Sequence, residues 1–162
     1  MQLTMIRPAD EHRPGHQKHN NIRPHTENDI LELGKLYFNS YPLGTVPNID
    51  AAVTDIKAAL AGEYGRFLPA SNLVYQKDKE ILGCVMVVDS PPWDDVANLV
   101  FVIDIFVEPK HRSKGIGKNL LQAALSAIPP TREVGLRVES ENTAAVALYR
   151  SLGFVEVPVN NN

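Results

Sequence analysis

The stretch from Leu99 to Ala127 reads LVFVIDIFVEP, then KHRSKGIGK, then NLLQAALSA. Val100, Phe101, Val102, Ile103, Ile105, Phe106 and Val107 are β-branched or aromatic and nearly continuous, which predicts a strand covered on both faces. Pro109 stops it. Ile116, Leu120, Leu121, Ala124, Leu125 and Ile128 recur at three- and four-residue spacing and predict a helix with one apolar stripe, ended by Pro129 and Pro130. Between strand and helix, Arg112, Ser113, Lys114, Gly115, Ile116, Gly117 and Lys118 crowd cations and glycines around a helix N-terminus. The first amides of a helix have no partner inside it, and the dipole makes that end partly positive. Cations there oppose the helix, so an anion relieves them, and glycines let its oxygens reach the backbone. A phosphate or diphosphate is the natural guest; the alternative is a solvated basic turn.

Two phosphate motifs do not apply. A P-loop needs an earlier glycine and a Ser or Thr after Gly-Lys, whereas Asn119 follows Gly117-Lys118. A dinucleotide fingerprint needs three glycines, and only Gly115 and Gly117 are present. The pattern R-x-x-G-x-G, carried by Arg112, Gly115 and Gly117 after a strand ending V-x-P, resembles the GNAT N-acetyltransferase superfamily. The segment Asn142 to Phe154, NTAAVALYRSLGF, resembles that family's second signature, N-x-x-A-x-x-L-Y-x-x-x-G-F.

The resemblance implies a mixed α/β fold: a single domain over residues 21–162 with a central mixed sheet of six to seven strands, helices on both faces and a splay between the fourth and fifth strands. It implies acetyl-CoA as co-substrate, with its diphosphate on the loop Arg112–Lys118. The backbone of Ile105, Phe106 and Val107 would pair with the pantetheine arm, and Asn142 would contact that arm while also capping its helix. Tyr149 matches the tyrosine that donates a proton to the departing thiolate. Phe101 and Ile103 stand where several family members carry a catalytic side chain, so a base from those positions is absent.

Asp104, a carboxylate in an apolar strand, is costly unless satisfied. It reads either as a general base, direct or through water, or as a carboxylate holding the amides of a β-bulge; Glu139 is a second acid that could help. The oxyanion of acyl transfer is assigned to a backbone N–H of Phe106 or Val107.

A chain of 162 residues suits one domain, and 44% hydrophobic with 22% charged residues is ordinary soluble composition. No apolar run approaches the roughly eighteen residues of a membrane span, and the start shows no apolar signal segment, so a cytoplasmic protein without a membrane partner is expected. Net charge −3, with the basic residues gathered at one loop, argues against nucleic acid. Cys84 is the single cysteine, which excludes an internal disulfide and a multi-cysteine metal site; no metal is expected.

Residues 1–20 read as a polar, mobile extension in which Pro14 and Gly15 break any helix that would align His12, His16 and His19. Ile22-Arg23-Pro24 is preferred over its echo Ile6-Arg7-Pro8 as the first strand. An amphipathic helix from Ile30, a loop YPLGTVP, a second helix from Ile49 to Ala61, and a hairpin over 72–76 and 81–89 follow. Strands over Glu133–Val138 and Phe154–Val159 flank the helix Asn142–Leu152, a succession that implies parallel pairing in the second half.

The acceptor is an amine on a small molecule or peptide. Tyr37, Tyr41, Tyr64 and Phe67 are read chiefly as core, and Glu63, Asp94, Asp95, Glu139 and Glu141 as an acidic mouth or as solvated surface. The last strand leaves an edge at which a homodimer can form, shortened by Pro158.

Overall fold

The computed structural model describes residues 1–10 and 19–158. In chain order the elements are β1 (Gln2–Arg7), β2 (Ile22–Pro24), α1 (Ile30–Ser40), α2 (Ile49–Leu60), β3 (Arg66–Phe67), β4 (Leu73–Lys77), β5 (Glu80–Asp89), β6 (Val100–Val107), α3 (Ile116–Ser126), β7 (Val134–Glu139), α4 (Thr143–Ser151) and β8 (Val155–Glu156). They form one eight-stranded sheet in the order β2-β4-β5-β6-β7-β1-β8, with β3 paired to β5. Neighbours are antiparallel except β6 and β7.

The apolar run of β5 is continuous because both of its faces are covered. Val85 and Val87 pack with Leu120 and Leu121 of α3 and with Val146 of α4. The alternate residues Cys84 and Met86 pack with Leu33 and Leu36 of α1 and Ile56 of α2. The α1 and α2 helices approach closely at Gly34, where a Cβ would lie 2.3 Å from Val53 Cγ2. The β4–β5 hairpin turns on two residues, Asp78 and Lys79, both at positive φ as a tight hairpin's twist requires.

The chain's start departs from the predicted extension. Gln2–Arg7 form β1, with Leu3 and Met5 buried, between β7 and β8; Ile22–Pro24 is an outer strand instead of the first. The alternation Leu3-Thr4-Met5 is a strand pattern, and its partners lie more than 130 residues away, at Val138 and Leu136. Insertion of β1 also confines parallel pairing to β6–β7, so β7 and β8 are not neighbours, and β1 brings the strand count above the six to seven expected. The last strand spans Val155–Glu156 and not Phe154–Val159. His12, His16 and Val159 lie outside the described residues. Among the described residues no helix is long and apolar enough to cross a membrane.

Two pairs alone join β6 to β7, Val100 with Val134 and Phe101 with Gly135, among the described residues. Beyond them the strands separate, which is the expected splay. Its closed end is clamped by Asp89 at the end of β5, whose buried carboxylate accepts from Arg132 at 2.7 and 3.1 Å and from Arg66 at 2.9 Å.

Candidate active site

A one-residue bulge in β6 decides where the site's carboxylate goes. Met86 of β5 stands opposite Asp104 and Val87 opposite Val102, which leaves Ile103 as the extra residue. Val102 therefore faces the α3 core, while Ile103 and Asp104 both face α1 and α2; Ile105 and Val107 return to the α3 side. Without the bulge, Asp104 would share the face of Val102, inside the apolar core.

The same register orients the backbone. The amide of Glu108 donates to Leu82 O on β5 at 2.8 Å, so alternation turns the backbone groups of Val107 and Ile105 to the open edge and those of Phe106 toward β5. This corrects the expectation for Phe106: its amide is committed to the β5 side, and its ring packs edge-on against Tyr37 at 5.3 Å. Ile105 and Val107 are left to meet an extended ligand.

That open edge forms one wall of a cleft of about 650 Å³. The start of α3 closes one end of it, and Asn142 and Tyr149 of α4 line the opposite wall. The α3 N-terminus is uncapped by any side chain and has no acid in its first turn. By contrast, Asn48 accepts from Ala51 N at 2.8 Å on α2, and Asn142 from Ala145 N at 3.2 Å on α4. Gly115 begins α3 at φ +83, and a Cβ there would meet nothing within 4 Å; at Gly117 it would make ordinary contact with Val107 and Ile105. These glycines thus leave room facing the cleft, a cradle that suits a diphosphate against bare amides.

Ser113, Ile116 and Lys118 also line the cleft, while Lys114 lies 3.4 Å from His111 Nδ1 and does not. Arg112 donates from Nε to Val107 O at 3.2 Å and from Nη2 to Ser40 O, tying the end of β6 to the C-terminus of α1. Its guanidinium is a strut across the mouth of the cleft.

The residue after Ser40, Tyr41, donates its hydroxyl to Asp104 Oδ1. Asp104 is half-buried, and this burial raises its pKa to about 6 against the opposing bonds from Tyr41 and the Ile105 amide. Burial, then the charge of Asp104, pushes the Tyr149 phenol up to about 12. Tyr41 is pushed up for the same reasons, and Tyr149 adds to its shift, so the three groups form one electrostatic cluster.

On the far side of Tyr41 lies a second pocket, of about 170 Å³, between α1–α2 and β5–β6, with Asp104 in its lining. Of the acids read either as a mouth or as solvated surface, Asp95 pairs with Arg137 at 2.6 Å, and the N-terminal ammonium holds Glu141 at 2.9 Å and Glu139 at 3.6 Å. Glu63 and Asp94 are exposed. Cys84 is fully buried, which pushes its thiol well up.

Tyr41 is read from the sequence chiefly as a core aromatic, and Asp55 is not singled out at all. Tyr41 heads the loop YPLG and reads as another helix-end aromatic; Asp55 reads as a solvated position of α2. Only the tertiary contact with Asp104 and the shared pocket mark them.

The chain matches the acetyltransferase (GNAT) family over residues 35–154. An N-alpha-acetyltransferase of Sulfurisphaera tokodaii is 43% identical over 61 residues, 36% of this chain and 36% of that protein. A [ribosomal protein bS18]-alanine N-acetyltransferase of Escherichia coli K12 is 33% identical over 63 residues, 38% of this chain and 43% of that one. The match therefore spans less than half the length of these curated relatives. The structure of yncA from Salmonella typhimurium with its cofactor acetyl-CoA superposes with a TM-score of 0.62 at 24% identity, covering 83% of this chain and 78% of that one. At that identity the likeness is one of fold.

Proposed function

The chain belongs to the GNAT acetyltransferase family, and from that premise we propose that it transfers an acetyl group from acetyl-CoA to a primary amine of a small molecule by direct attack in a ternary complex. The observation that carries this reading is the open edge of β6, with bare helix amides at one end and the Asp104–Tyr41–Tyr149 cluster beside it.

The amides at Gly115, Ile116, Gly117 and Lys118 hold the diphosphate, with Ser113 beside them and the charge of Lys118 adding to the dipole. Val107 and Ile105 hold the pantetheine arm by backbone pairing, as a neighbouring strand would, and the side chain of Asn142 borders the arm from α4. Acetyl-CoA supplies the acetyl carbon already activated as a thioester. Asp104 accepts the proton that the amine loses as its nitrogen bonds to that carbon. The backbone N–H of Val107 stabilises the oxyanion, the Ile105 amide being held by Asp104. Tyr149 gives its proton to the sulfur as the C–S bond breaks and is reprotonated as Asp104 gives up the proton it took, so a neutral amine and the thioester become an amide and a free thiol with no net proton; an acceptor arriving as an ammonium ion releases one proton before the attack. Burial keeps the Tyr149 phenol protonated at neutral pH, so its O–H is present to hydrogen-bond the sulfur as charge develops there.

A second reading, acetylation of a protein α-amine or lysine, is favoured by the names of the two curated relatives. Thiol release measured with free amines beside short peptides separates the two. Turnover that depends on Tyr149 is expected; undiminished turnover in Tyr149→Phe overturns its role, and tight coenzyme binding without turnover of any amine leaves a coenzyme-binding module.

A further inference from the structure

The pocket beyond Tyr41 has a chemistry of its own. Two carboxylates line it, Asp104 of β6, half-buried, and Asp55 of α2, exposed. Between them the walls are carbon: Ile56 and Ala59 of α2, Met86 of β5 and Ile103 of β6. Tyr37 and Tyr64 complete it. The Tyr64 hydroxyl stands 3.4 Å from Asp55 Oδ1, and its ring is stacked on Trp93 at 6.4 Å and 14°, which fixes the aromatic rim.

We propose that this pocket takes a short aliphatic α,ω-diamine, the amino group to be acetylated lying against Asp104 and the distal ammonium against Asp55. The inference rests on the acetyltransferase reading and names its acceptor. A volume near 170 Å³ is close to the roughly 150 Å³ cavity that accepts one benzene molecule, so it has room for a chain of four or five carbons. An apolar stem with a carboxylate at either end complements a molecule charged at both ends and greasy between. Tyrosine faces add attraction for an ammonium group leaving water. A monoamine brings no cation to Asp55, and an amino acid sets a carboxylate against it. In the transfer one amino group loses a proton and becomes an amide as the thioester breaks; the other remains an ammonium ion and changes no bond.

The test uses three acceptors of equal length, 1,5-diaminopentane, pentylamine and 5-aminopentanoate, together with a short peptide bearing a free α-amine and a calorimetric titration of acetyl-CoA. The diamine is expected to exceed pentylamine in kcat/KM by about tenfold, the order of one charge-assisted contact at a partly exposed site, and 5-aminopentanoate to fall below both. Asp55→Asn is expected to bring the diamine-to-monoamine ratio toward one, and Asp55→Glu to retain most of it. Equal rates for diamine and monoamine in the unaltered protein, or a ratio untouched by Asp55→Asn, overturn the inference. If acetyl-CoA binds and the peptide is acetylated while the diamine shows no advantage, only the acceptor is wrong. If acetyl-CoA does not bind and no amine is turned over, the acetyltransferase reading fails and takes this inference with it.

Discussion

The two cavities that meet at the Tyr41–Asp104 contact are built from opposite materials. The larger cleft offers backbone on one side, with bare amides at the start of α3, the open edge of β6 and two glycines, and side chains such as Asn142 and Tyr149 on the other. The smaller pocket is lined by side chains, aromatic and acidic, contributed by α1, α2, β5 and β6. A backbone site recognises groups common to many substrates, such as a diphosphate or an amide-bearing arm, and tolerates change in the residues around it. A side-chain site is rewritten by any substitution in its lining. In the proposed function the division of labour is that the first cavity holds the donor and the second chooses the acceptor.

The division breaks most visibly if a change in one cavity disables the other. Asp104→Asn removes the proton acceptor and is expected to lower kcat about 10²- to 10⁴-fold in thiol-release assays, with acetyl-CoA affinity little altered by calorimetry. An equal loss of affinity would mean that the cavities are one site.

Gly115→Val is the mirror experiment. Gly115 sits at φ +83, where a side chain costs about 1–2 kcal/mol and a β-branched one more, and its Cβ would project into open space facing the cleft. Acetyl-CoA affinity is expected to drop about tenfold or more, with kcat at saturation largely kept.

The pH profile sharpens the comparison at the contact itself. With the Asp104 carboxyl raised to about 6, kcat/KM should rise with pH through that value as the base ionises. Tyr41→Phe deletes the bond that favours the charged form, so the rise should move to higher pH, and in Asp104→Asn it should vanish. Stability runs the other way: the folded pKa lies above the usual carboxylate value, so what Asp104 contributes to folding is present in acid and lost as pH rises through about 6.

The smallest effect is expected away from both cavities, at the closed end of the splay. Asp89, held to about 2 by Arg132 and Arg66, contributes stability that is present above the ordinary carboxylate value and is lost as pH falls toward 2. Asp89→Asn should cost about 1–2 kcal/mol, discounted because both arginines are partly exposed, and should lower the melting temperature without favouring donor over acceptor.

The same contrast explains what could be read from the chain. The α3 loop is contiguous, so Arg112, Gly115 and Gly117 announce it within six residues, and the spacing through Asn142, Tyr149 and Phe154 does the same for α4. Strands covered on both faces betray themselves as continuous apolar runs, which is why β5 and β6 are legible. The smaller pocket draws on residues from Tyr37 to Asp104, and no local period links them. The bulge at Ile103 leaves no mark in a run of Val, Ile and Phe, yet it decides the face of Asp104 and the direction of the Phe106 amide. β1 was hidden because its pattern is short and its partners lie at the other end of the chain. Arg112 shows a further limit: its place in the motif is plain, but its bonds to Val107 and Ser40 carbonyls are tertiary.

The most direct test is a crystal structure with acetyl-CoA bound. The diphosphate should lie within hydrogen-bond reach of the amides from Gly115 to Lys118, the arm should run along Ile105 and Val107, and the thioester carbonyl should end beside Asp104 and Tyr149. Coenzyme bound away from the α3 N-terminus, or a thioester directed away from the Tyr41–Asp104 contact, would contradict the account.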